Sequence, residues 1–435
     1  MYRYLSLLLL LISFQTAIAQ LDSFNIADYA RPDLERRTAG VYGRLNLGSP
    51  YYSAFPNTDR MTRNEYDIRA YQTKFVNSVR NQIDVSNTLY SEFSQTNENG
   101  MTNSSMWNRI SRSYRNKIFS ANKKFIEFKY DVSASHRRTR EDQLFIFDDF
   151  EYISAVKNNS LSIRGGVALY KGKGRIEIIS DAWNAQTILE MLQEKGLVDA
   201  YIALEDIQAF AERISEIKNI RNTDFRLENI AEQESLVSFL KSKDWANTDD
   251  FRFYPTLLDT WRYETFFVRR SGTEFKYGLS FRGDFWDNDF PSNSFTSLTP
   301  SLDIAYNKYK PISTDWQFNT SNSLELNVIV RYFDFGRVDT DDLYFRFRSD
   351  FEWQYLPNRR SYYTFGFSSS AYIPFRESSS SKILSFTPKA EYVYYFSPRF
   401  NITVSGQILL TTYLDDFSSL RVFEALSASV SYRFY

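Results

Sequence analysis

Leu343-Tyr344-Phe345-Arg346-Phe347-Arg348-Ser349-Asp350-Phe351-Glu352-Trp353-Gln354-Tyr355 changes character at every second residue. In an extended chain, successive side chains point to opposite faces. Leu343, Phe345, Phe347, Phe351, Trp353 and Tyr355 therefore share one face, and Tyr344, Arg346, Arg348, Asp350, Glu352 and Gln354 share the other. The run is apolar on one side and ionic on the other along its whole length. Strands of soluble proteins average ~5–6 residues, whereas a tilted strand crossing a bilayer needs ~9–11. This one is long enough to cross.

The same period recurs from residue 263 to the end. Ile402, Val404, Ile408 and Leu410 oppose Asn401, Thr403, Ser405 and Gln407. Leu426, Ala428, Val430, Tyr432 and Phe434 oppose Ser427, Ser429, Ser431 and Arg433. Alternation with turn signals predicts twelve strands over 82–96, 106–119, 123–137, 160–171, 274–287, 294–309, 315–333, 343–356, 361–375, 382–397, 400–414 and 420–435. Stretches 40–52 and 66–77 add one further hairpin, giving twelve to fourteen. Connectors after odd-numbered strands of the twelve are polar and longer (97–105, 138–159, 288–293, 334–342, 376–381, 415–419). Those after even-numbered strands are tight (120–122, 310–314, 357–360, 398–399), apart from one large insertion. Short turns at one end and longer loops at the other are the pattern of outer-membrane barrels. Lipid cannot satisfy an open strand edge. The expected fold is mainly β: a closed antiparallel transmembrane β-barrel of 12 to 14 strands with an inserted three-helix periplasmic subdomain.

The N-terminus agrees with export. Arg3, the apolar stretch Leu5–Ile12 and Ala17-Ile18-Ala19 read as a secretory signal peptide over 1–19. No later apolar run reaches the ~20 residues of a spanning helix. The expected organisation is 20–176 as N-terminal segment and first strands, 177–262 as the helical insertion and 263–435 as the remaining strands. The expected location is the bacterial outer membrane.

The insertion has a different period. Ala182, Ala185, Ile188, Leu189 and Leu192 follow helical spacing, with Ser180 or Asp181 as N-cap and Lys195-Gly196 as the stop. Leu204, Ile207, Phe210, Ala211, Ile214 and Ile217 mark a second helix, and Leu227, Ile230, Leu236, Phe239 and Leu240 a third. Glu, Lys and Gln opposite them predict surface helices with one buried stripe. Loop parity places them in the periplasm. Some 70 residues is near the lower limit for an independent core, so the insertion is expected to pack on the barrel mouth or on a periplasmic protein through 177–250.

Two segments carry a family likeness. Gly172-Lys173-Gly174-Arg175-Ile176-Glu177, then Asp181-Ala182 and Ile188-Leu189-Glu190-Met191-Leu192, resembles a segment recurring in uncharacterised outer-membrane barrel proteins of the Bacteroidota. The chain end, with Tyr432, Phe434 and Tyr435, resembles the C-terminal signal of outer-membrane β-barrels, which engages the barrel assembly machinery. The likeness implies contact with outer-membrane lipid and lipopolysaccharide and supplies no catalytic residue.

Composition narrows the chemistry. The 435 residues include no Cys, one His, and 52 Lys+Arg against 53 Asp+Glu. Disulfides, thiolate metal sites, Cys nucleophiles and His-rich metal centres are excluded, and a near-neutral chain lacks a basic field for nucleic acid. No cofactor or metal is expected. His136, whose i+2 neighbour is Arg138, lacks the Ser two residues away that outer-membrane phospholipase A uses, so a non-enzyme is expected, with a lipid-acting hydrolase that pairs His136 with a Ser of another strand as the last alternative. The inward faces carry Glu127, Lys129, Asp131, Lys276, Arg282, Asp284, Glu325, Arg331, Arg346, Arg348, Asp350, Glu352, Lys389, Glu391 and Arg433. Both signs are mixed, which suits either a hydrated path for polar solutes or an ion-paired filling of a closed lumen. The corresponding functions are a channel capped by the insertion, or a non-conducting scaffold. Acidic clusters at Asp148-Asp149, Asp287 with Asp289, Asp339 with Asp341-Asp342, and Asp415-Asp416 lack EF-hand spacing and read as solvated loop charge.

Overall fold

The computed structural model describes residues 26, 29, 33–51, 61–98, 101–147, 150–199, 201–220, 228–262, 268–289, 292–333, 338–339, 343–375, 382–397, 400–413 and 416–432. The expected signal segment 1–19 lies outside the described residues, as do Asp148-Asp149, Asp341-Asp342, Asp415, Arg433, Phe434 and Tyr435.

The chain runs through β1 (Leu34–Tyr51), β2 (Met61–Asn77), β3 (Asn81–Glu98), β4 (Met101–Phe119), β5 (Lys124–Phe147) and β6 (Phe150–Ile178). Four helices follow: α1 (Ser180–Glu194), α2 (Leu204–Ile220), α3 (Glu228–Lys241) and α4 (Phe253–Trp261). The sheet resumes with β7 (Arg270–Asp289), β8 (Ser292–Pro311), β9 (Trp316–Val328), β10 (Val330–Phe333), β11 (Val338–Asp339), β12 (Leu343–Asn358), β13 (Ser361–Pro374), β14 (Ile383–Ser397), β15 (Phe400–Tyr413) and β16 (Asp416–Tyr432). Among the described residues, fourteen strands form one path in chain order, β1 to β9 and then β12 to β16, every neighbour antiparallel. β10 keeps the register of β9 against β8, Asn327 opposing Ser301 and Val330 opposing Leu298, so the two are one strand with a local break. Fourteen is the upper end of the expected range, with β1 and β2 as the extra hairpin.

The alternation holds in three dimensions. Phe275, Tyr277, Leu279, Phe281 and Phe285 of β7 are exposed on one face, as are Leu161, Ile163, Val167 and Leu169 of β6 and Ile126, Phe128 and Val132 of β5. The other face is polar, and it is concave. Arg175 at the end of β6 donates from Nη1 to the Val79 carbonyl (3.0 Å) and from Nη2 to the Ser78 carbonyl (2.9 Å) and Asn77 Oδ1 (3.0 Å), in the β2–β3 turn. Three strand spacings separate β6 from β3, about 14 Å along the sheet, beyond the reach of a guanidinium on a flat surface. At the far ends of the path, β1 and β16 approach with Cα atoms within 8 Å.

Three features depart from the sequence reading. The connector expected over 138–159 is instead a hairpin, since β5 and β6 stay in register from Arg138 opposite Asn159 to Phe147 opposite Phe150. Arg138 to Gln143 carry no apolar residue on either face, so the period-two signal is absent there and polarity alone reads as a loop. The insertion holds four helices among the described residues, not three. α4 was missed because Phe253-Tyr254-Pro255 carries a proline and two aromatics, poor helix signals, although proline is tolerated in a first turn. Finally, α1 is not a surface helix with one stripe. Ser180 through Gln186, Ile188, Leu189 and Leu192 are all buried, because α2 and α4 cover one side of it and strand-end turns the other.

Candidate functional site

At the end of the sheet that faces the helices, charged side chains of the concave face are packed together. Lys117 of β4 pairs with Glu274 of β7 and lies 3.7 Å from Glu127 of β5, whose other oxygen accepts from Lys276 at 2.8 Å. Glu127 is fully buried, and Lys117 and Glu274 nearly so. The Lys276 ammonium sits 4.5 Å from the centroid of Tyr170, whose hydroxyl donates to Asp303 at 2.9 Å. Arg115 joins from the side through Asp84 at 2.5 Å. Burying isolated charges is prohibitive, so this cluster persists only because each member has an opposite partner. β6 makes room for it. Gly172 puts no side chain beneath the buried ring of Phe125, and Gly174 takes φ +104°, a conformation that side chains other than glycine rarely adopt.

Beside this cluster the helices dock. Ile179 N–H donates to the Arg269 carbonyl and Arg269 N–H to Ser180 Oγ, both at 2.9 Å, tying the two ends of the insertion together. Ser180 thus closes the neck and does not cap α1, whose N-cap residue is Ile179. Asp181, the other expected cap, is buried against Lys218 of α2 (3.0 Å) and Arg36 of β1 (3.7 Å). Gly196 ends the helix region as expected, at φ +67°.

Two buried arginines hold α1 to the sheet. Arg269 donates to the carbonyls of Ser313 and Trp316 (both 2.9 Å) and Thr314, and to Gln317 Oε1 (3.2 Å), all at the β8–β9 turn. Burial pulls its pKa down to about 10 despite the opposing field of Asp315. Arg359, in the β12–β13 turn, donates to the carbonyls of Asn184 (3.0 Å) and Thr260 (3.2 Å). Between them lies Trp183, its centroid 5.5 Å from Arg269 and 5.2 Å from Arg359, its Nε1 donating to the Thr314 carbonyl at 2.8 Å. An outer ion pair, Arg360 with Asp259 of α4 at 2.8 Å, adds a further tie. The helical core is continuous with strand residues Leu356, Val393 and Tyr395 and takes in Ile26 and Tyr29 from ahead of β1. Glu190 of α1 accepts from Gln186 at 2.9 Å, and burial raises its carboxyl to about 7. Burial also raises Asp315.

The remaining residues singled out from the sequence fall on the same concave face in smaller pairs. Lys129 lies 4.0 Å from Asp131, Arg346 4.0 Å from Glu325, Arg348 4.0 Å from Asp350 and Lys389 3.8 Å from Glu352. Asp284 binds Arg164 at 3.1 Å and Glu391 accepts from Tyr362 at 3.0 Å. Arg282 is exposed, opposite Gly166 and Thr299. Arg331 is placed through its backbone opposite Ser297, and Tyr432 through its backbone opposite Phe400. The side chains of both lie outside the described residues, as do Arg433, Phe434 and Tyr435. His136 is exposed on the apolar face, opposite Asn108 and Leu161, and makes no hydrogen bond among the described residues.

Two deeply buried ions, Lys117 and Glu274, were absent from the expected set. Arg109, Arg115 and Lys117 share the concave face and only Arg112 takes the other, so the basic residues of 106–119 break the alternation at one position. Glu274 has the same parity as Lys276, and that signal alone would have found it.

No family model matches the chain, and no curated protein sequence does. Solved structures overlap it loosely. The translocator domain of the autotransporter NalP from Neisseria meningitidis is 7% identical, with 94% of this chain and 91% of that one covered at a TM-score of 0.31. A bacterial polysaccharide outer membrane secretin is 8% identical, covering 94% and 100% at 0.28. The TodX monoaromatic hydrocarbon channel, as a mutant, is 7% identical, covering 94% and 92% at 0.29.

Proposed function

We propose that the chain is an outer-membrane β-barrel acting as a channel for small or polar solutes, its periplasmic end capped by the four helices. The observation that carries this reading is the apolar face itself. Large hydrophobic side chains stay exposed on strand after strand from β2 to β16, whereas soluble monomers rarely expose contiguous apolar patches beyond a few hundred Å². A lipid environment is the medium that makes such a surface favourable. Rings line that face near the helices, as an interfacial girdle would: Trp316 stacks on Tyr355 (4.6 Å), Tyr355 on Tyr363 (6.0 Å) and Tyr363 on Tyr392 (4.6 Å).

Closure follows from the same medium, since an open edge in hydrocarbon leaves backbone groups unsatisfied. The approach of β1 and β16 supports it. The helices touch β1 through Arg36, the β6–β7 neck, the β8–β9 turn, the β12–β13 turn and β14 through Val393. In a closed fourteen-strand ring those points surround the mouth, so a body touching all of them lies across it. Barrels of eight strands fill with their own side chains, and those of sixteen or more leave a water channel. Fourteen needs both filling and a cap to be shut.

The buried cluster around Glu127 favours the second reading, a non-conducting scaffold whose helices recruit a periplasmic protein. Planar-bilayer recording separates the two. Wild-type protein should be mostly silent, and Trp183→Ala combined with Arg359→Ala should conduct. Linking Asp259→Cys to Arg360→Cys with a bismaleimide, in a chain otherwise free of cysteine, should lower any residual current. Silence from every variant, with residues 178–250 deleted as well, would leave the scaffold. Esterase activity lost in His136→Ala would instead point to an enzyme.

A further inference from the structure

Away from the helices, the concave face carries a different chemistry. A cavity of about 630 Å³ lies against β3 to β7, within the range of small-molecule sites. Its wall holds six serines, Asn158 and Asn288, and set among them Trp107, Trp286, Arg109 and Arg137. Register fixes their arrangement. Arg137 opposes Trp107 and Arg109 opposes Ser135 across β4 and β5. Ser135 opposes Ser162, which in turn opposes Trp286. The two indoles are thus three strands apart, roughly 14 Å along the wall, with both arginines beside the first.

Three properties of this wall need one explanation. Arg109 and Arg137 have no ion pair or hydrogen bond among the described residues, in contrast to Arg164 with Asp284 and Arg115 with Asp84. A guanidinium fork exposed on this wall and not spent on a carboxylate of the protein matches a ligand carboxylate in a bidentate way. The two indoles sit on the wet face, whereas Trp316 and Trp353 sit on the apolar one. Both are half-buried, so each keeps part of its ring open for the apolar face of a solute to pack on, and Trp107 is oriented by an edge contact with Tyr90 at 5.3 Å. The serines and asparagines offer both donors and acceptors, as a polyol requires. Glu92 and Glu141 in the same wall oppose a densely charged anion.

We propose that this wall binds a short saccharide carrying a single carboxylate, the acid seated on Arg109 and Arg137 and sugar rings against Trp107 and Trp286. The proposal rests on the concave face being the wall of a bore, as argued above, and does not require that the bore conduct.

The test is calorimetry and tryptophan fluorescence on the full chain in detergent, with sialyllactose, lactose and sodium sulfate as probes. Sialyllactose should bind and change the emission, lactose should bind at least about tenfold more weakly, and sulfate should not compete. Arg109→Gln with Arg137→Gln should bring sialyllactose down to the affinity of lactose, and Trp286→Phe should weaken both sugars. Heat-modifiable mobility checks that each variant is folded, and the three-probe comparison on wild type stands if a variant is not. The proposal is overturned by no sialyllactose binding up to roughly 10 mM, by equal affinity for lactose, by equal competition from sulfate, or by a folded double variant that binds unchanged. Bilayer current reads the channel separately, so a conducting protein that ignores sialyllactose sinks the site alone.

Discussion

Arg359 lies over the ring of Trp183, 5.2 Å from its centroid, and so joins a strand-end turn to the first helix of the insertion. With Arg269 on the other side and an indole hydrogen bond to Thr314, Trp183 concentrates the docking in one side chain. Trp183→Ala should cost about 3–5 kcal/mol of docking free energy. Limited proteolysis should then cut within 195–250 while the sheet stays resistant. Equal protection of mutant and wild type would show that the latch lies elsewhere.

The cluster around Glu127 predicts an asymmetry between breaking and replacing charges. Lys117→Met strands Glu274, while Glu127 keeps Lys276, and should destabilise by about 3–5 kcal/mol. Lys117→Met together with Glu274→Leu should recover most of that loss. Urea unfolding midpoints in detergent check both, and a double variant no better than the single would contradict the pairing.

Glu190 makes docking sensitive to pH. Its folded pKa of about 7 stands above the ordinary 4.5, so the folded state holds the proton more tightly. The stabilisation is complete below about pH 4.5 and is lost as pH rises through 7. Protease protection of the helices should therefore weaken between pH 5 and 8, and Glu190→Gln should flatten the profile. A wild-type profile that strengthens with rising pH would refute the assignment.

Gly174→Ala places a side chain at φ +104° and against the Thr273 carbonyl of β7. A loss of about 2–4 kcal/mol is expected, read as a lower yield of heat-modifiable protein. Gly283, with open space around it, is the control: Gly283→Ala should fold normally.

Much of this architecture was legible from residue parity. Leu343 to Tyr355 sort onto the faces that the sequence assigns them, because a strand with one apolar and one polar face must alternate. Parity fails where its physical cause is absent. From Arg138 to Gln143 neither face has an apolar member, so period two leaves no signal there and nothing in the residues distinguishes strand from loop. In α1 both sides are covered, so the stripe that announces a helix surface disappears and Asn184 and Gln186 are buried beside Leu189. Trp183 was not singled out, because its value lies in Arg269 and Arg359, which come 86 and 176 residues later and which no local pattern could bring together.

That separation has a consequence for biogenesis. Synthesis delivers a chain from its N-terminus, so α1 emerges before the β8–β9 and β12–β13 turns that receive it. Until those turns form, the indole and the apolar flank of α1 are left uncovered. A delay in the folding of this segment, or a temporary cover for it, is what keeps that surface from misassociating, and the last hairpins to form decide when the helices dock.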